Sequence, residues 1–387
     1  MARFEFATAT RIVFGAGTLK EIGALVHGFG QHALVVTGRA PRWREILSGL
    51  LKREPGIFSG TTFSVPGEPT LTTVGQGVNV AKLAGCDSVI AIGGGSTIDA
   101  GKAIAAMLTN AGELLDYVEV VGRGRTLTHP PAPFVAISTT AGTGAEVTRN
   151  AVLSVPEQRV KVSLRSPLML PRLAVVDPEL TYDLPPAVTA STGLDALTQL
   201  IEPYVSCRAN PMMDAICLEG IQRVARSLRR AWLAGHDKAA REDMALASLF
   251  GGLALANAGL GAVHGFAAPI GGMFPAAHGA VCAALLPHVM AANIRALRDR
   301  ALDDTAVRRY GEMGRLLTGR PAAGADDGVQ WVGELVAELG IPRLAAYGIA
   351  TRHINELVAM ASNASSMKGN PIVLTTEELI EVLHAAI

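Results

Sequence analysis

Two histidines lie in a part of the chain that carries no formal charge. His264 and His278 are fourteen positions apart, and residues 244–294 around them contain no Asp, Glu, Lys or Arg. Buried imidazoles without charged neighbours need polar partners, and a metal ion is one partner that satisfies them. A hydrogen bond to a backbone carbonyl is the alternative for either histidine alone.

A carboxylate and an amide are spaced for one face of a helix. Asp195 and Gln199 stand four positions apart in TGLDALTQLIE, residues 192–202. Side chains at i and i+4 lie one above the other on a helix surface. The spacing therefore predicts that both groups project from the same side of one helix.

A glycine run, Gly93-Gly94-Gly95-Ser96, directly follows the apolar segment at residues 88–92 and precedes a helical pattern. Glycines let a ligand approach the backbone, and the N–H groups and dipole of a helix start favour a pyrophosphate. The alternative is an ordinary strand-to-helix turn in which Ser96 caps the helix. The run is not the GxGxxG fingerprint of standard dinucleotide-binding folds.

A second polar turn, STTAGTG at residues 138–144, also ends an apolar segment. Hydroxyls and small residues at the carboxyl end of a strand suit contacts to a ribose or a nicotinamide, because ligands of open α/β sheets bind there. A turn whose Ser and Thr side chains bond back to the backbone explains the same residues equally well.

The elements that must position these groups divide the chain in two. Short apolar runs separated by helical stretches fill residues 30–180, at 32–38, 87–96, 132–142 and 173–178, and such runs indicate a parallel sheet covered on both faces. Beyond Pro185-Pro186 the sequence is Ala- and Leu-rich with helical periodicity. We predict an α/β, Rossmann-like dinucleotide-binding domain with a parallel sheet at residues 1–183 and an all-α metal and substrate domain at residues 184–387.

Composition excludes several classes of function. Lys plus Arg and Asp plus Glu both number 34, so no net field draws the protein to nucleic acid or to an anionic membrane. The four cysteines show neither zinc-like CxxC spacing nor the density of a secreted scaffold, and charges interrupt the apolar residues of the N-terminus. Glycines and prolines break the charge-free stretch into short pieces, which favours a buried helical centre over a membrane span. We therefore expect a cytoplasmic protein with reduced thiols.

Five segments, in this order, resemble the group III (iron-containing) alcohol dehydrogenase family over nearly the whole chain. They are GGGSTIDAGKA (93–103), STTAGTGAEVTRN (138–150), SPLMLPRLAVVDPELT (166–181), TGLDALTQLIEPYVS (192–206) and GAVHGFAAPIGGMFPAAHG (261–279). The resemblance implies a nicotinamide coenzyme, NAD or NADP, and a divalent ion, usually iron or zinc, held by an Asp, a His one helical turn later and two further His. The ion polarises the alcohol or carbonyl oxygen while hydride passes to or from the nicotinamide.

Carried over residue by residue, the resemblance assigns Asp195, His264 and His278 as catalytic residues and metal ligands. Gln199 stands where the family has its fourth ligand, a histidine, and an amide oxygen is a poor ligand for iron or zinc. We therefore expect weakened metal binding. Ala268 stands where many members carry a histidine that moves the alcohol proton, which leaves the proton relay unassigned.

The same resemblance assigns the cofactor contacts. Gly93, Gly94, Gly95 and Ser96 match the pyrophosphate loop, and Asp99 in the same motif is assigned to the cofactor set. Thr139 and Thr140 match residues near the nicotinamide, Lys161 one near the ribose, and Leu180 one that packs on the adenine.

Coenzyme choice depends on the end of the strand at residues 32–38. Gly38 stands where NAD-preferring relatives often carry an acid, and such a carboxylate would repel a 2′-phosphate. Arg39 or Arg42 could pair with that phosphate, so NADP acceptance is favoured. The alternative is that both arginines are solvated surface residues.

Together these features predict an NAD(P)-dependent alcohol dehydrogenase, or aldehyde or ketone reductase, that acts on a small alcohol or carbonyl substrate and forms a homodimer, as is common in the family. Two alternatives stay open. One is a lyase of the dehydroquinate synthase type, which uses the nicotinamide only transiently. The other is a cofactor-binding family member with lost or metal-independent activity.

Overall fold

The computed structural model describes residues 3–39, 41–51, 59–301 and 305–387. Their contacts divide into two compact units. The first comprises residues 7–140 and 144–181, and the second comprises residues up to Phe6, residues 141–143 and residues 182–387. We call them the sheet unit and the helical unit.

Eight strands are present among the described residues of the sheet unit. They are β1 (Ile12–Phe14), β2 (His32–Thr37), β3 (Ser59–Ser64), β4 (Ser88–Gly93), β5 (Phe134–Ser138), β6 (Asn150–Val155), β7 (Val160–Arg165) and β8 (Leu173–Val176). Six of them form a sheet in the order β1-β8-β5-β4-β2-β3, and every pairing within it is parallel. β4 and β5 are buried along their whole length, as expected for strands covered on both faces. The predicted α/β fold with a parallel sheet is confirmed.

Four strands, β1, β3, β6 and β7, do not coincide with the apolar runs of the sequence. β1 has only three residues, and β3 has the polar sequence SGTTFS at the edge of the sheet. β6 and β7 form a separate antiparallel pair, and β6 alternates between buried and partly exposed residues. Alternation indicates a hairpin with one buried face, a different signal from the continuous runs of the parallel strands.

The described helices of the sheet unit are α1 (Ile22–Leu25), α2 (Pro41–Leu51), α3 (Leu71–Leu83), α4 (Gly95–Thr109) and α5 (Leu114–Tyr117). α4 is held close to the sheet because Gly101 has no side chain. A Cβ atom at Gly101 would lie 2.7 Å from Cβ of Ala91 in β4. This close packing fixes the start of α4 directly after the carboxyl end of β4.

A buried cation also ties α4 to β6. Nζ of Lys102 donates hydrogen bonds of 2.8 Å to Oγ1 of Thr148 and to the carbonyl of Asn150, and lies 3.8 Å from Oδ1 of Asp99. Asp99 also accepts a 3.0 Å hydrogen bond from the Val152 amide. Burial raises the pKa of Asp99 to about 6 and lowers the pKa of Lys102 to about 8, while each group's charge opposes the shift of the other.

The helical unit contains the remaining described α-helices. They are α6 (Pro186–Val205), α7 (Pro211–Leu233), α8 (Lys238–Ala258), α9 (Ala262–Met273), α10 (His278–Arg300), α11 (Thr305–Thr318), α12 (Ala325–Glu338), α13 (Ile354–Ser362) and α14 (Thr376–Ala386). No strand occurs among the described residues after Val176. The predicted all-α character of this half is confirmed.

α10 is long and apolar enough to cross a membrane, and the bent pair of α8 and α9 meets the same criterion if it is counted as one span. The apolar window of α10 is 83% buried within the protein. Core helices show this combination of hydropathy and burial. The charge-free stretch of the sequence supplies the centre of the helical unit, which includes Phe266, Val281 and Leu285.

We expect Lys102→Met to destabilise the protein by about 3–5 kcal/mol at pH 7, because it leaves the Asp99 carboxylate buried without its counter-charge. Urea unfolding measures this loss, with Lys82→Met on the exposed face of α3 as the matched control. The penalty should shrink at pH 5, below the Asp99 value of about 6, because a protonated Asp99 needs no counter-charge. Equal penalties at the two pH values would contradict this interpretation of the pair.

Candidate active site

Three helices of the helical unit bring polar side chains to one place. α6 contributes Asp195, α9 contributes His264, and α10 contributes His278 and Cys282. One ligand atom from each of the four residues lies within 4.8 Å of all the others. We call these four residues the donor cluster.

A glycine makes this approach of α10 to α6 possible. A Cβ atom at Gly279 would lie 2.5 Å from the carbonyl oxygen of Ser191 and 3.3 Å from Cβ of Asp195. Any other residue would push the start of α10 away from α6, and His278 with it. The sequence therefore places a histidine and the glycine that positions it side by side.

The distances within the donor cluster are short and similar. Oδ1 of Asp195 lies 3.5 Å from Nε2 of His264 and 3.7 Å from Nε2 of His278. Sγ of Cys282 lies 3.8 Å from Nε2 of His264 and 3.7 Å from Nε2 of His278. The donor atoms therefore face a common centre.

A second carboxylate on α6 orients one imidazole. Oε2 of Glu202 lies 2.6 Å from Nδ1 of His264, and Oε1 of Glu202 accepts a 2.7 Å hydrogen bond from the Val263 amide. An acceptor at Nδ1 fixes the tautomer and directs the other ring nitrogen toward the donor cluster. Glu202 thus positions His264 without belonging to the cluster.

In the donor cluster, charged neighbours shift the pKa values of His264 and Asp195 more than burial does. Burial alone would lower the pKa of His264, but Cys282, Glu202 and Asp195 together raise it well above its usual value. Burial alone would raise the pKa of Asp195, yet the neighbouring His278 and His264 hold it below its usual value. Both shifts arise from the close approach of carboxylate, thiol and imidazole groups within the cluster.

These residues fit a divalent ion. Oδ1 of Asp195 is buried and has no hydrogen-bond partner, although a buried carboxylate oxygen is costly to leave unpaired. One carboxylate, two imidazoles and one thiol are donors of the kind that bind iron and zinc. Three of the four donors, Asp195, His264 and His278, are residues that the sequence analysis predicted.

The structure places Gln199 on α6, one turn after Asp195, and buries it. Its Nε2 donates a 3.0 Å hydrogen bond to the carbonyl of Gly142, and its Oε1 has no partner. Its predicted role as a weak ligand stays a prediction. Ala268 lies one turn after His264 on α9, where it offers no group for proton transfer.

Sequence reasoning missed two residues of this region. Cys282 follows His278 by four positions, and Glu202 follows Gln199 by three, so the helical spacing that united Asp195 and Gln199 could have found both. Because the four cysteines lack CxxC spacing, the sequence predicts Cys282 only as a reduced thiol. CxxC spacing does not detect a cysteine paired with a histidine on one helix.

The sheet unit holds the predicted cofactor residues. Gly93 ends β4, Gly94 is the N-cap of α4, and no side chain caps that helix. A Cβ atom at Gly94 would lie 3.3 Å from Thr140, which follows the end of β5. The two predicted turns therefore lie next to each other at the carboxyl ends of neighbouring strands, where ligands of open α/β sheets bind.

The other predicted cofactor residues also lie in the sheet unit. Nζ of Lys161 lies 3.1 Å from Oε2 of Glu68, whose other oxygen accepts a hydrogen bond of 3.4 Å from Ser96. Asp99 faces the Val152 amide and Lys102, and Leu180 is buried in the apolar core beside the sheet. The cofactor role of each stays a prediction.

The end of β2 is open beside α4. A Cβ atom at Gly38 would meet only Oγ1 of Thr97, at 3.4 Å. The guanidinium of Arg39 donates a hydrogen bond to the carbonyl of Pro66, and that of Arg42 lies 4.1 Å from the ring centre of Trp43. Both arginines therefore have interactions within the protein.

Comparisons with known proteins agree with this arrangement. Residues 9–178 match the family described as iron-containing alcohol dehydrogenase, and residues 189–387 match the C-terminal part of the Fe-containing alcohol dehydrogenase family. Similar proteins include alcohol dehydrogenase 4 of Schizosaccharomyces pombe, 35% identical over 97% of this chain and 87% of the relative. The 1,3-propanediol dehydrogenase of Klebsiella pneumoniae is 34% identical over 99% and 98% of the two chains.

A solved structure of a 1,3-propanediol oxidoreductase matches the whole of both chains with a TM-score of 0.92 and 33% identity. The chain belongs to the iron-containing alcohol dehydrogenase family. The predicted family and enzyme class are therefore confirmed, and the protein is an oxidoreductase that acts on CH–OH groups. The match favours this class over the lyase alternative.

We expect Gly94→Val to weaken binding of NAD(H) and NADP(H) by more than about tenfold, because a β-branched side chain would stand between Thr140 and the helix start that is predicted to receive a pyrophosphate. Quenching of protein fluorescence by the coenzyme measures the dissociation constant. The matched control is Gly49→Val, since Gly49 is an exposed position of α2 with nothing within 4 Å of an added Cβ. Unchanged affinity in Gly94→Val would remove this loop from the coenzyme site.

Proposed function

We propose that this protein transfers hydride between NAD(P) and the oxygen-bearing carbon of a small primary alcohol or diol, or the corresponding aldehyde, with a divalent ion at the donor cluster. The observation that carries the proposal is the convergence of His264 and His278 on a buried oxygen of Asp195 that has no hydrogen-bond partner. The substrate class is supported by the names of the relatives, which include alcohol and 1,3-propanediol dehydrogenases.

When bound, the ion polarises the substrate oxygen and the nicotinamide supplies or accepts the hydride. Asp195 contributes the negative charge that holds the ion, and the two imidazoles contribute neutral nitrogen donors. Glu202 fixes the ring of His264 so that Nε2 presents its lone pair. A rigid donor set of this kind orients the substrate oxygen before the reaction.

The donor cluster is open on one side. The side chain of His278 is 33% exposed, whereas those of Asp195 and His264 are 2% and 6% exposed. A small molecule can therefore approach past His278 but not past the other two residues. Since Ala268 offers no proton-transfer group, we infer that the alcohol proton leaves through water or the cofactor ribose.

In the sheet unit, the uncapped start of α4 and the turn at Gly93 and Gly94 receive the pyrophosphate. Thr139 and Thr140 orient the nicotinamide, and Lys161 contacts the ribose. We propose that the open position at Gly38 admits the 2′-phosphate of NADP, since no acid stands there to repel it.

A homodimer and a cytoplasmic location remain proposals of the same kind. All four cysteines are free thiols, as a reducing compartment would keep them. Sedimentation of the purified protein tests the dimer.

For coenzyme choice, we expect Gly38→Asp to lower kcat/KM with NADP(H) by more than about tenfold and to leave NAD(H) turnover nearly unchanged, because the new carboxylate repels a 2′-phosphate and accepts a bond from a 2′-hydroxyl. Gly38→Ala is the control for added volume without charge. A wild-type enzyme that strongly prefers NAD, together with a Gly38→Asp variant no different from it, would contradict our interpretation of this position.

For the reaction itself, we expect oxidation of 1,3-propanediol or a short primary alcohol, and a loss of more than about 100-fold in kcat for Asp195→Asn, because the neutral amide cannot offset the charge of the ion. Coenzyme binding should survive this change, and Asp326→Asn at an exposed site should be silent. Activity should also fall after dialysis against a chelator and return with zinc or iron.

Two outcomes would contradict the proposal. Full turnover after exhaustive chelation would make the ion dispensable and leave His264 and His278 as hydrogen-bond donors to the substrate. Coenzyme binding without turnover of any small alcohol or aldehyde would favour the alternative that catalysis has been lost, which Gln199 and Ala268 suggest.

A further inference from the structure

We propose that Cys282 is a ligand of the divalent ion, and that its thiolate, together with Asp195, His264 and His278, forms a four-donor site that favours zinc. The inference rests on the proposed function in one respect, the presence of an ion at the donor cluster. It assigns a ligand that the resemblance to the family did not provide.

The spacing of the four donors suits a single ion. Metal–ligand bonds of about 2.0 Å to nitrogen or oxygen and about 2.3 Å to sulfur give tetrahedral edges of about 3.3–3.6 Å. The four measured edges run from 3.5 to 3.8 Å and join Cys282 to both imidazoles and Asp195 to the same two imidazoles. The remaining two edges, from Asp195 to Cys282 and from His264 to His278, are within 4.8 Å, so the four donors have to move inward to reach bonding distance.

Hydrogen bonds alone leave this centre poorly satisfied. Glu202 engages Nδ1 of His264, so Nε2 is the ring nitrogen that faces the donor cluster. The thiol of Cys282 has one proton for two neighbouring imidazole nitrogens, and Oδ1 of Asp195 is a further acceptor without a hydrogen-bond partner. A cation at the centre satisfies all of these lone pairs at once.

The chain contains an internal contrast to this thiol. Cys217 on α7 is also fully buried, but it belongs to the apolar core, and burial raises the pKa of its thiol. Cys282 is equally buried, yet its sulfur lies within 3.8 Å of two imidazole nitrogens. It follows His278 by one turn of α10, so a single helix supplies both donors.

The thiolate also balances the charge of the site. When the ion binds, the S–H bond of Cys282 breaks, the proton passes to water, and a sulfur–metal bond forms. Asp195 and the thiolate then carry two negative charges, which offset a divalent ion, while the imidazoles are neutral. The soft sulfur donor favours zinc over iron.

This assignment changes the significance of Gln199. The Nε2 of Gln199 is held by the carbonyl of Gly142, so the residue can offer at most a neutral oxygen. With Cys282 as a ligand, the site reaches four donors without Gln199. Zinc binding should then be tight despite the glutamine.

The test uses the full-length protein loaded with cobalt(II), whose bond to a thiolate gives a near-ultraviolet charge-transfer band. We expect the wild type to show this band at one equivalent of cobalt and to show one sulfur at about 2.3 Å in zinc-edge X-ray absorption. Cys282→Ser and Cys282→Ala should lose both signals, while Cys207→Ser, at an exposed thiol, should keep them. Competition with a chelating dye should show that both Cys282 variants bind zinc more than about 100-fold more weakly than the wild type. Loss of a residue that only supports a ligand lowers metal affinity by about 10- to 100-fold.

Coenzyme binding and circular dichroism identify variants that fail to fold. If every variant fails to fold, the wild-type spectra still show whether sulfur binds the metal. A wild-type protein that binds cobalt or zinc with nitrogen and oxygen donors only, or that binds neither metal, would overturn the assignment. Alcohol oxidation by the same preparations is scored separately. Metal-dependent turnover without a sulfur ligand would refute Cys282 as a ligand and leave the proposed function intact, whereas a sulfur ligand without turnover would do the reverse.

Discussion

The donor cluster of the helical unit is organised around one buried carboxylate. Asp195 sits at the centre of α6 with 1% of its surface exposed, and Oδ1 has no hydrogen-bond partner within the protein. Burying such a charge is costly unless opposite charge or donors surround it. Helices α9 and α10 bring imidazoles to it, and Gly279 is the residue that lets α10 come close enough. The packing of α9 and α10 against α6 therefore also assembles the donor cluster.

In the sheet unit, the corresponding electrostatic feature is helix α4. The first turn of α4 is free of a side-chain cap, and glycines keep the approach to its N–H groups open. Deeper in the same helix, Lys102 is buried against Asp99 and fixes α4 to β6. One helix thus offers partial positive charge at its start and is anchored by a full charge within its body.

The contrast between Cys217 and Cys282 shows how little residue type alone says about chemistry. Both thiols are inaccessible to solvent, and both lie on long helices of the same unit. Only the neighbours differ, since one thiol packs among apolar side chains and the other beside two imidazole nitrogens. The presence of glutamine instead of histidine at position 199 therefore does not by itself imply a loss of metal binding, because the other donors around the site also determine the affinity.

The sequence by itself determined the division into an α/β half and a helical half, because the period of apolar residues changes near Pro185. It also determined the glycine loop, and three of the four donors through ordered motifs. Helical spacing places Cys282 on the face of His278 and Glu202 on the face of Gln199, but only the tertiary structure decided that these faces meet, because the atoms that α6, α9 and α10 bring together are up to 87 positions apart, from 195 to 282. Helical spacing predicts which residues share a face, but the packing of separate helices decides which faces meet.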